Sequence, residues 1–245
     1  MDRSRWALIV AATSDIGRAV AHELARRGFH LHLTARHPDH LADDVQDLRI
    51  RYNVEIRTHA LDVCDYTTHP VFAEQLNPIP QVIVLMAGYL GNNEQAEHDL
   101  DERRRIMEVN YNGAASVIAA LVPHLSSGAI IAGVSSVAGD RPRGTLYWYG
   151  SAKCGLSGFL DGLRMRLYER GIHVITIKPG VVATKMTAHL PIAQTPLTAT
   201  PERVARDIAH AIEKRKSTLY TPWYWRWIML VLRWMPETII RRMKN

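Results

Sequence analysis

Two side chains with complementary acid–base chemistry lie four residues apart in the middle of this 245-residue chain. Tyr149 and Lys153 belong to the stretch YGSAK, and side chains at positions i and i+4 of a helix lie on the same face. Ser136 precedes the tyrosine by thirteen residues. A free tyrosine has a pKa of about 10, and a nearby cation favours its phenolate. The pattern predicts a phenol that exchanges a proton near neutral pH.

The elements that must position these groups are apolar runs alternating with helical patterns. The runs are typical of buried parallel strands and lie at 5–12, 29–35, 54–63, 82–87, 129–135, 172–178 and 219–221. Helical patterns lie between them at 18–28, 37–51, 66–76, 97–125, 147–170 and 201–214. This alternation predicts an α/β protein: one Rossmann-type domain over 1–222 with a doubly wound, parallel, seven-stranded sheet, and a C-terminal amphipathic helical tail over 223–245.

Composition narrows the class of protein. A hydrophobic content of 47% is enough for one sizeable core. The two cysteines form no disulfide framework or metal-spaced pair, and the twelve histidines show no metal-ligand spacing, so a reducing, cytoplasmic location without a metal is expected. No signal peptide and no transmembrane run are recognisable. The net charge is +6, and residues 223–245 carry +4 of it, which argues against a basic face for nucleic acid.

The turn after the first strand is the expected site of a dinucleotide pyrophosphate. Ligands of such sheets bind beyond the carboxyl ends of the strands, and a helix N-terminus holds phosphate on its N–H groups. The turn reads AATSDIG, in which Gly17 permits close helix–strand packing and the hydroxyls of Thr13 and Ser14 can donate to phosphate. Taken alone, the same letters also fit an ordinary strand–helix turn.

Arg36 indicates which dinucleotide is used. The second strand ends Thr34-Ala35-Arg36, with no acidic residue at the turn. An acid there favours a free ribose 2′-hydroxyl, whereas an arginine accommodates a 2′-phosphate. The sequence therefore favours NADP(H) over NAD(H); the alternative is an arginine that simply faces solvent.

Over residues 5–222 the chain resembles the short-chain dehydrogenase/reductase family. The features that carry the resemblance are the αβ alternation, the TSDIG turn, Leu61-Asp62-Val63, Ala87-Gly88, Asn110 within EVNYNG, Ser136 within SSVAG, YGSAK, and Pro179-Gly180 with Thr184. A Tyr-x-x-x-Lys pair is a weak signal by itself, but this combination is specific.

The resemblance implies a role for each residue. Tyr149 would protonate a substrate ketone as hydride arrives from nicotinamide, Lys153 would favour the phenolate and hold the nicotinamide ribose, and Ser136 would hydrogen-bond the carbonyl oxygen. Asn110 would hold a water that links Lys153 to solvent. The residues implied to line the cofactor path are Thr13, Ser14, Asp15, Ile16, Gly17, Arg36, Asp62, Val63, Ala87, Gly88, Tyr149, Lys153, Pro179, Gly180, Val182 and Thr184. The family also implies a homodimer or homotetramer.

Three departures from the family pattern keep a second class of function open. Ala11 and Asp15 stand where the family's first and middle turn glycines are, and Met86 stands where an asparagine precedes Ala-Gly. A non-catalytic NADP-binding protein or scaffold is the alternative to an enzyme. The four reacting groups are nevertheless all present, which favours the enzyme.

The tail PWYWRWIMLVLRWMPETIIRRMKN is apolar over most of its length. On a helix, Trp223, Trp227, Leu230, Val231 and Trp234 form one stripe, with Arg226 and Arg233 beside it. Thirteen residues cannot span a bilayer, but tryptophans flanked by arginines are typical of the membrane interface. We expect contact with the inner face of the plasma membrane. The alternative is a helix packed on the substrate cleft or on another subunit.

The tail, the GDRPRG insert and KPGVVATKMTAHL resemble a narrower subgroup, the decaprenylphosphoryl-2-ketopentose reductases and their bacterial relatives. That resemblance implies a keto-sugar on a polyprenyl phosphate as substrate, with Arg141 and Arg143 as candidate partners of its phosphate. The alternatives are surface arginines, and a soluble ketoreductase or alcohol dehydrogenase for a steroid-, acyl- or sugar-like molecule.

Overall fold

The computed structural model describes residues 5–189 and 195–240, and its strands form one sheet. The strands are β1 (Trp6–Val10), β2 (His30–Ala35), β3 (Ile56–Ala60), β4 (Val82–Leu85), β5 (Ile130–Val134), β6 (His173–Pro179) and β7 (Thr218–Thr221). They lie in the order β3-β2-β1-β4-β5-β6-β7, and every neighbouring pair is parallel. The predicted α/β class and the doubly wound, seven-stranded parallel sheet are confirmed.

Helices cover both faces of the sheet. They are α1 (Asp15–Arg26), α2 (Ala42–Tyr52), α3 (His69–Gln75), α4 (Leu100–Met107), α5 (Gly113–Leu121), α6 (Tyr147–Leu167), α7 (Pro201–Glu213), α8 (Trp225–Trp234) and α9 (Glu237–Ile240). Because side chains alternate along a strand, β1 contributes Ala7 and Ile9 to a core beneath α1, α2 and α7. Its residues Leu8 and Val10 belong to a second core beneath α3, α5 and α6.

This topology places the carboxyl ends of all seven strands along one edge. The chain runs outward from β1 to β3 on one side and from β4 to β7 on the other, so the switch point lies between β1 and β4. A crevice opens at that point in doubly wound sheets, and ligands bind there. The loops that follow β1 to β6 carry most of the residues discussed below.

The long helix predicted over 97–125 is interrupted in the structure. Asp99 caps a new start, its Oδ1 accepting from the N–H groups of Asp101 (2.9 Å) and Glu102 (3.2 Å). Between α4 and α5 the helix widens into a π-helical segment, Glu108–Asn112. Close packing accompanies this widening: a Cβ on Gly113 would lie only 2.2 Å from the carbonyl oxygen of Val63, so the backbone there packs directly on the loop after β3.

The tail begins its helix at Trp225, two residues later than the predicted start at Trp223, and α8 is followed by the short α9. Within residues 5–189 and 195–240, no helix is long and apolar enough to cross a membrane. Residues 241–245 of the predicted tail and residues 1–4 and 190–194 of the predicted domain lie outside the described ranges.

Candidate active site

The structure brings the four predicted catalytic residues to one place at the carboxyl edge. Ser136 follows β5, Tyr149 and Lys153 lie one turn apart on α6, and Asn110 lies in the π-helical segment. The Ser136 hydroxyl lies beside the Tyr149 phenol, and both side chains line the same cleft. The Lys153 Nζ atom lies 5.9 Å from the centre of the Tyr149 ring. Serine and phenol therefore face the same space, and the ammonium group lies behind them.

Lys153 is buried, with 2% of its surface exposed. Its Nζ donates to the carbonyl oxygens of Ala87 (3.2 Å) and Val134 (3.1 Å), which end two neighbouring strands. Because an ammonium group has three N–H bonds, one donor is left for a ligand. Burial lowers the pKa of Lys153 to about 7, since the charged form loses its hydration.

The pKa of Tyr149 is shifted in the opposite direction. Burial raises the pKa of the Tyr149 phenol, and the hydrogen bond from Ser136 partly offsets this effect. Ser136 is fixed in turn by its own loop, because its Oγ accepts from the N–H of Ala138 (3.1 Å). A raised pKa keeps the phenol protonated near neutral pH, which is the form that donates a proton.

Asn110 lies in the predicted place, its side-chain amide is bonded to the backbone, and its water-holding role stays a prediction. It is completely buried, and its Nδ2 donates to the carbonyl oxygens of Tyr89 (2.6 Å) and Ile106 (2.8 Å). Its Oδ1 accepts from the Tyr89 N–H (3.1 Å). The amide therefore joins the π-helical segment to the loop after β4. Both side-chain N–H bonds are occupied, so a water beside Asn110 would depend on an oxygen of this residue.

Asn93 is a functional-site residue that sequence reasoning missed. The start of α6 has no side-chain cap of its own. Instead, the buried Asn93 accepts a hydrogen bond from the Tyr149 N–H through its Oδ1 (3.2 Å), and its Nδ2 donates to Leu90 (3.2 Å). It therefore anchors the first turn of the helix that carries the phenol. No local pattern marks it, because it lies 56 residues from its partner in an irregular loop.

The turn after β1 has the predicted compact form. Ser14 caps α1: its Oγ accepts from the Gly17 N–H and donates to the carbonyl of Ala11, both at 3.1 Å. In this structure the hydroxyl proton of Ser14 is used inside the turn, and its donation to phosphate stays a prediction. Thr13 and Ile16 lie beside it, both partly exposed.

Two departures from the family pattern have structural consequences in this turn. Ala11 has a φ of 60°, a left-handed conformation that glycine adopts without steric cost. The carboxylate of Asp15 accepts from the N–H of Lys185 at 2.7 Å, across a separation of 170 residues. Asp15 therefore holds the segment after β6 against the start of α1.

The next predicted cofactor residues line the same edge. Arg36 is exposed just beyond β2, and within the described residues it forms no ion pair or hydrogen bond. Asp62 accepts from the N–H of Cys64 (2.9 Å), and the buried Val63 packs against Gly113 at the start of α5. A Cβ on Gly88 would lie 3.6 Å from both Asn110 Oδ1 and Lys153 Nζ. The predicted path thus runs from Arg36 to the buried amine.

The segment after β6 lines the cleft and also packs against the tail. Pro179 ends β6, and Val182 pairs with Ala199 in an isolated parallel bridge. Thr184 is hydrogen-bonded within its own turn, its hydroxyl lying 3.2 Å from that of Thr187. A Cβ on Gly180 would lie 1.9 Å from Nε1 of Trp225, so the absence of a side chain at Gly180 makes room for the first residue of α8.

A cleft of about 610 Å³ opens above Tyr149 and Ser136, a size typical of small-molecule sites. Its apolar lining comes from the loop after β4, the segment before α6, the segment after β6, and the tail: Leu90, Leu146, Met186, Trp225, Met229, Leu232 and Ile240.

The two arginines of the GDRPRG insert also line the cleft but differ in their contacts. Arg143 is exposed at the rim. Arg141 Nη1 donates to the carbonyls of Leu232 (2.6 Å), Arg233 (3.0 Å) and Met235 (2.8 Å) at the end of α8. Arg141 therefore holds the tail, which leaves Arg143 as the freer of the two predicted phosphate partners.

The chain matches known proteins over most of its length. The family model for short chain dehydrogenase matches residues 5–194. An uncharacterized oxidoreductase of Mycobacterium tuberculosis is 36% identical over 96% of this chain and 96% of its own length. Very-long-chain 3-oxoacyl-CoA reductase-A of Danio rerio is 30% identical over 75% of this chain and 60% of its own length.

A solved structure agrees with the fold. A short-chain dehydrogenase from Sphingobium yanoikuyae in complex with NADPH superposes with a TM-score of 0.83 at 21% identity, covering 98% of this chain and 96% of its own. Sheet order, the assembled Tyr149–Lys153 pair and the family match over 5–194 all agree. The chain belongs to the short-chain dehydrogenase family and is an NAD(P)-dependent oxidoreductase.

Proposed function

We propose that this protein reduces a ketone to a secondary alcohol with NADPH. The observation that carries the proposal is that Ser136 and Tyr149 lie together at the wall of an apolar cleft, with a buried lysine behind them. NADPH, when bound, supplies the hydride. Ser136 positions the carbonyl oxygen, and Tyr149 donates the proton to it. Lys153 stabilises the phenolate that is left and uses its remaining donor on the nicotinamide ribose.

The residues of the turn and the strand ends would hold the cofactor. Pyrophosphate would lie against the N–H groups at the start of α1, near Gly17. Arg36 would contact the 2′-phosphate, because it is exposed and free of other ion pairs among the described residues. Asp15 is consistent with this arrangement, since its carboxylate is already hydrogen-bonded to the Lys185 N–H.

For the substrate we propose a lipid-linked or otherwise long apolar ketone. The tail supplies apolar side chains to the cleft, and one relative is named for a very-long-chain 3-oxoacyl-CoA. A keto-sugar on a polyprenyl phosphate fits this class, with its phosphate at the exposed Arg143. That narrower identity depends on the subgroup resemblance alone, and the first relatives found are uncharacterized oxidoreductases.

Replacement of Tyr149 by phenylalanine tests the proposal. We expect Y149F to lower NADPH oxidation with 3-oxoacyl thioesters or keto-sugars by about 10²–10⁴-fold, because the proton donor is lost. NADPH binding, measured by its fluorescence, should remain within about twofold, since the phenol is not needed to hold the phosphates.

Tyr147→Phe is the matched control. Tyr147 lies two residues earlier on α6, and its hydroxyl reaches only Glu97, at 3.4 Å. Retained turnover in Y149F would contradict the proposal. NADPH binding by a wild-type protein that turns over no ketone of any chain length would favour the non-catalytic alternative.

A further inference from the structure

Helix α8 has one face turned toward the active-site cleft. Trp225 and Met229 are buried, with 2% and 3% of their surfaces exposed, and together with Leu232 they line the cleft. Arg141 fixes the end of the helix through three carbonyl oxygens. The orientation of α8 is therefore set by contacts with the domain, and its opposite side must face outward.

That opposite side is apolar and exposed. We call it the outer face of α8, and it consists of Trp227 (57% exposed), Leu230 (49%), Val231 (61%) and Trp234 (84%), together with Trp223 (65%) just before the helix. Monomeric proteins seldom expose a contiguous apolar patch without using it. Leu197, which is also exposed, lies beside the same region, because its carbonyl accepts from the Tyr224 hydroxyl.

The positive charge of the tail favours an anionic lipid surface as the partner of this face. Arg226 and Arg233 are exposed on the same helix, and residues 223–245 carry a net charge of +4. Tryptophan and arginine together are the residues that anchor proteins in lipid headgroups, where the ring enters the apolar boundary and the cation meets phosphate. A basic segment also gains about 1 kcal/mol per charge near an anionic leaflet.

A second copy of the chain fits this face less well. In an isologous dimer built on this face, Arg226 and Arg233 of one copy would lie near the same arginines of the other copy, and the tail carries a net charge of +4. Like charges that are brought together oppose such an interface. An anionic lipid surface has charge of the opposite sign, and it accepts a short helix lying in its plane.

We infer that the outer face of α8 docks the protein on an anionic lipid surface and brings the active-site cleft to that surface. The docking depends only on the outer face and its arginines. The delivery of a lipid-linked ketone into the cleft depends in addition on the proposed reductase activity.

Vesicle sedimentation of the full-length chain tests the docking. We expect binding to vesicles of equal parts phosphatidylglycerol and phosphatidylcholine, and weaker binding to phosphatidylcholine alone. Trp227→Ser with Trp234→Ser should weaken binding to both by at least about tenfold, because two interfacial rings are lost. Arg226→Gln with Arg233→Gln should weaken binding to the anionic vesicles by about 25-fold, at about 1 kcal/mol per charge.

Met165→Ser with Tyr168→Ser is the matched control. These side chains are 79% and 81% exposed near the end of α6, away from the tail, and their loss should leave vesicle binding unchanged. A Trp227/Trp234 variant that binds vesicles like the wild type would overturn the inference. So would a wild-type protein that stays in the supernatant, or a dimer that this variant dissociates in light scattering without lipid.

Two readouts separate failure of docking from failure of the reductase proposal. The Trp227/Trp234 variant should keep wild-type turnover of a short, water-soluble ketone, because neither side chain lines the cleft. Y149F should bind vesicles like the wild type. Loss of vesicle binding in Y149F would show that the docking surface was wrongly assigned.

Discussion

At the scale of single residues, Lys153 lies in surroundings that destabilise its charged form. It is buried, it has two carbonyl partners, and its pKa falls to about 7. A cation that gives up its proton near neutral pH can both stabilise a phenolate and pass on a proton. The same feature makes the stability of the fold depend on pH in a defined direction.

We predict that Lys153→Met removes a pH dependence of stability. Between pH 7 and about 10.5 the unfolded lysine holds a proton that the folded one has lost, so the free energy of unfolding rises with pH, by up to about 1.4 kcal/mol per unit. The methionine variant lacks this contribution. Its stability relative to wild type should therefore be greatest near pH 7 and should decline toward pH 10.

Urea unfolding of both proteins across that range is the measurement. Parallel stability curves for the two proteins would show that Lys153 does not titrate differently in the folded and unfolded states. Wild type that loses stability as the pH rises through this range, with the variant constant, would contradict the direction of the pKa shift.

A second prediction at this scale concerns Arg36 and cofactor choice. Loss of a charge-assisted contact with the 2′-phosphate costs about 1.5–3 kcal/mol, so Arg36→Ala should raise the Kd for NADPH by about 10–100-fold. The Kd for NADH should change little, since that cofactor carries a free 2′-hydroxyl. Fluorescence titration with both cofactors measures the ratio.

Arg51→Ala supplies the comparison, because Arg51 is exposed on α2 and already paired with Asp47 at 2.6 Å. Equal weakening of NADPH and NADH by Arg36→Ala would mean that this arginine does not read the 2′-phosphate.

At the scale of elements, the sequence predicted what periodicity and motifs encode. Apolar runs located all seven strands within a few residues, although β3 ends at Ala60 rather than at 63. The π-helical segment was not predictable, because it depends on the buried Asn110 amide and on packing at Gly113 that sequence spacing does not reveal. Asn93 was missed for the same reason: its partner, Tyr149, is distant in sequence.

The tail shows what helical periodicity can predict and what it cannot. Helical periodicity grouped five residues that are all exposed in the structure, although Trp223 precedes the helix: Trp223, Trp227, Leu230, Val231 and Trp234. It could not show which face packs on the cleft, because apolar residues lie on both. The sequence therefore leaves the membrane and cleft interpretations as alternatives, whereas the structure has an inner face on the cleft and an outer face in solvent.

We predict that Gly180→Ala displaces α8 from its packing site on the domain. A methyl group at Gly180 would overlap the Trp225 indole, so the helix should be displaced and loosened, and trypsin should cut more readily at its exposed arginines. Cleavage at Arg226 and Arg233 should be several-fold faster than in wild type, and turnover of long-chain ketones should fall. Limited proteolysis followed by mass spectrometry identifies the sites.

Gly144→Ala is a suitable control on the cleft rim, because a Cβ there meets no atom within 4 Å. An unchanged cleavage pattern in Gly180→Ala would show that the seat of Trp225 tolerates a side chain.

At the scale of the whole molecule, a cluster of three polar side chains joins the sheet to the active-site loop. Asp140 accepts hydrogen bonds from the Lys178 ammonium and from the Tyr220 hydroxyl (2.6 Å), which lie on β6 and β7. The side chains of Asp140 and Lys178 are only 3% and 11% exposed. Burial, followed by the hydrogen bond to Asp140, raises the pKa of Tyr220 well above its ordinary value. This group fixes the loop between Ser136 and Arg141, and with it the seat of the tail.

Asp140→Ala should cost about 3–5 kcal/mol in the free energy of unfolding, because it leaves the Lys178 charge buried without its partner. Addition of Lys178→Met should recover much of the loss, since no charge is then buried. Urea denaturation of the single and double variants measures both effects. A single variant within about 1 kcal/mol of wild type would show that water replaces the carboxylate. The family's homodimer or homotetramer stays a prediction at this scale.

The two faces of α8 also bear on which measure of substrate concentration sets the rate of the reaction. The helix is only about 10 Å thick, so a protein docked by its outer face holds the cleft about that far from the lipid surface. Such an enzyme searches for a lipid-linked ketone in two dimensions. Its turnover should then follow the mole fraction of substrate in the bilayer, and dilution with inert lipid should slow it even when the total amount of substrate is constant.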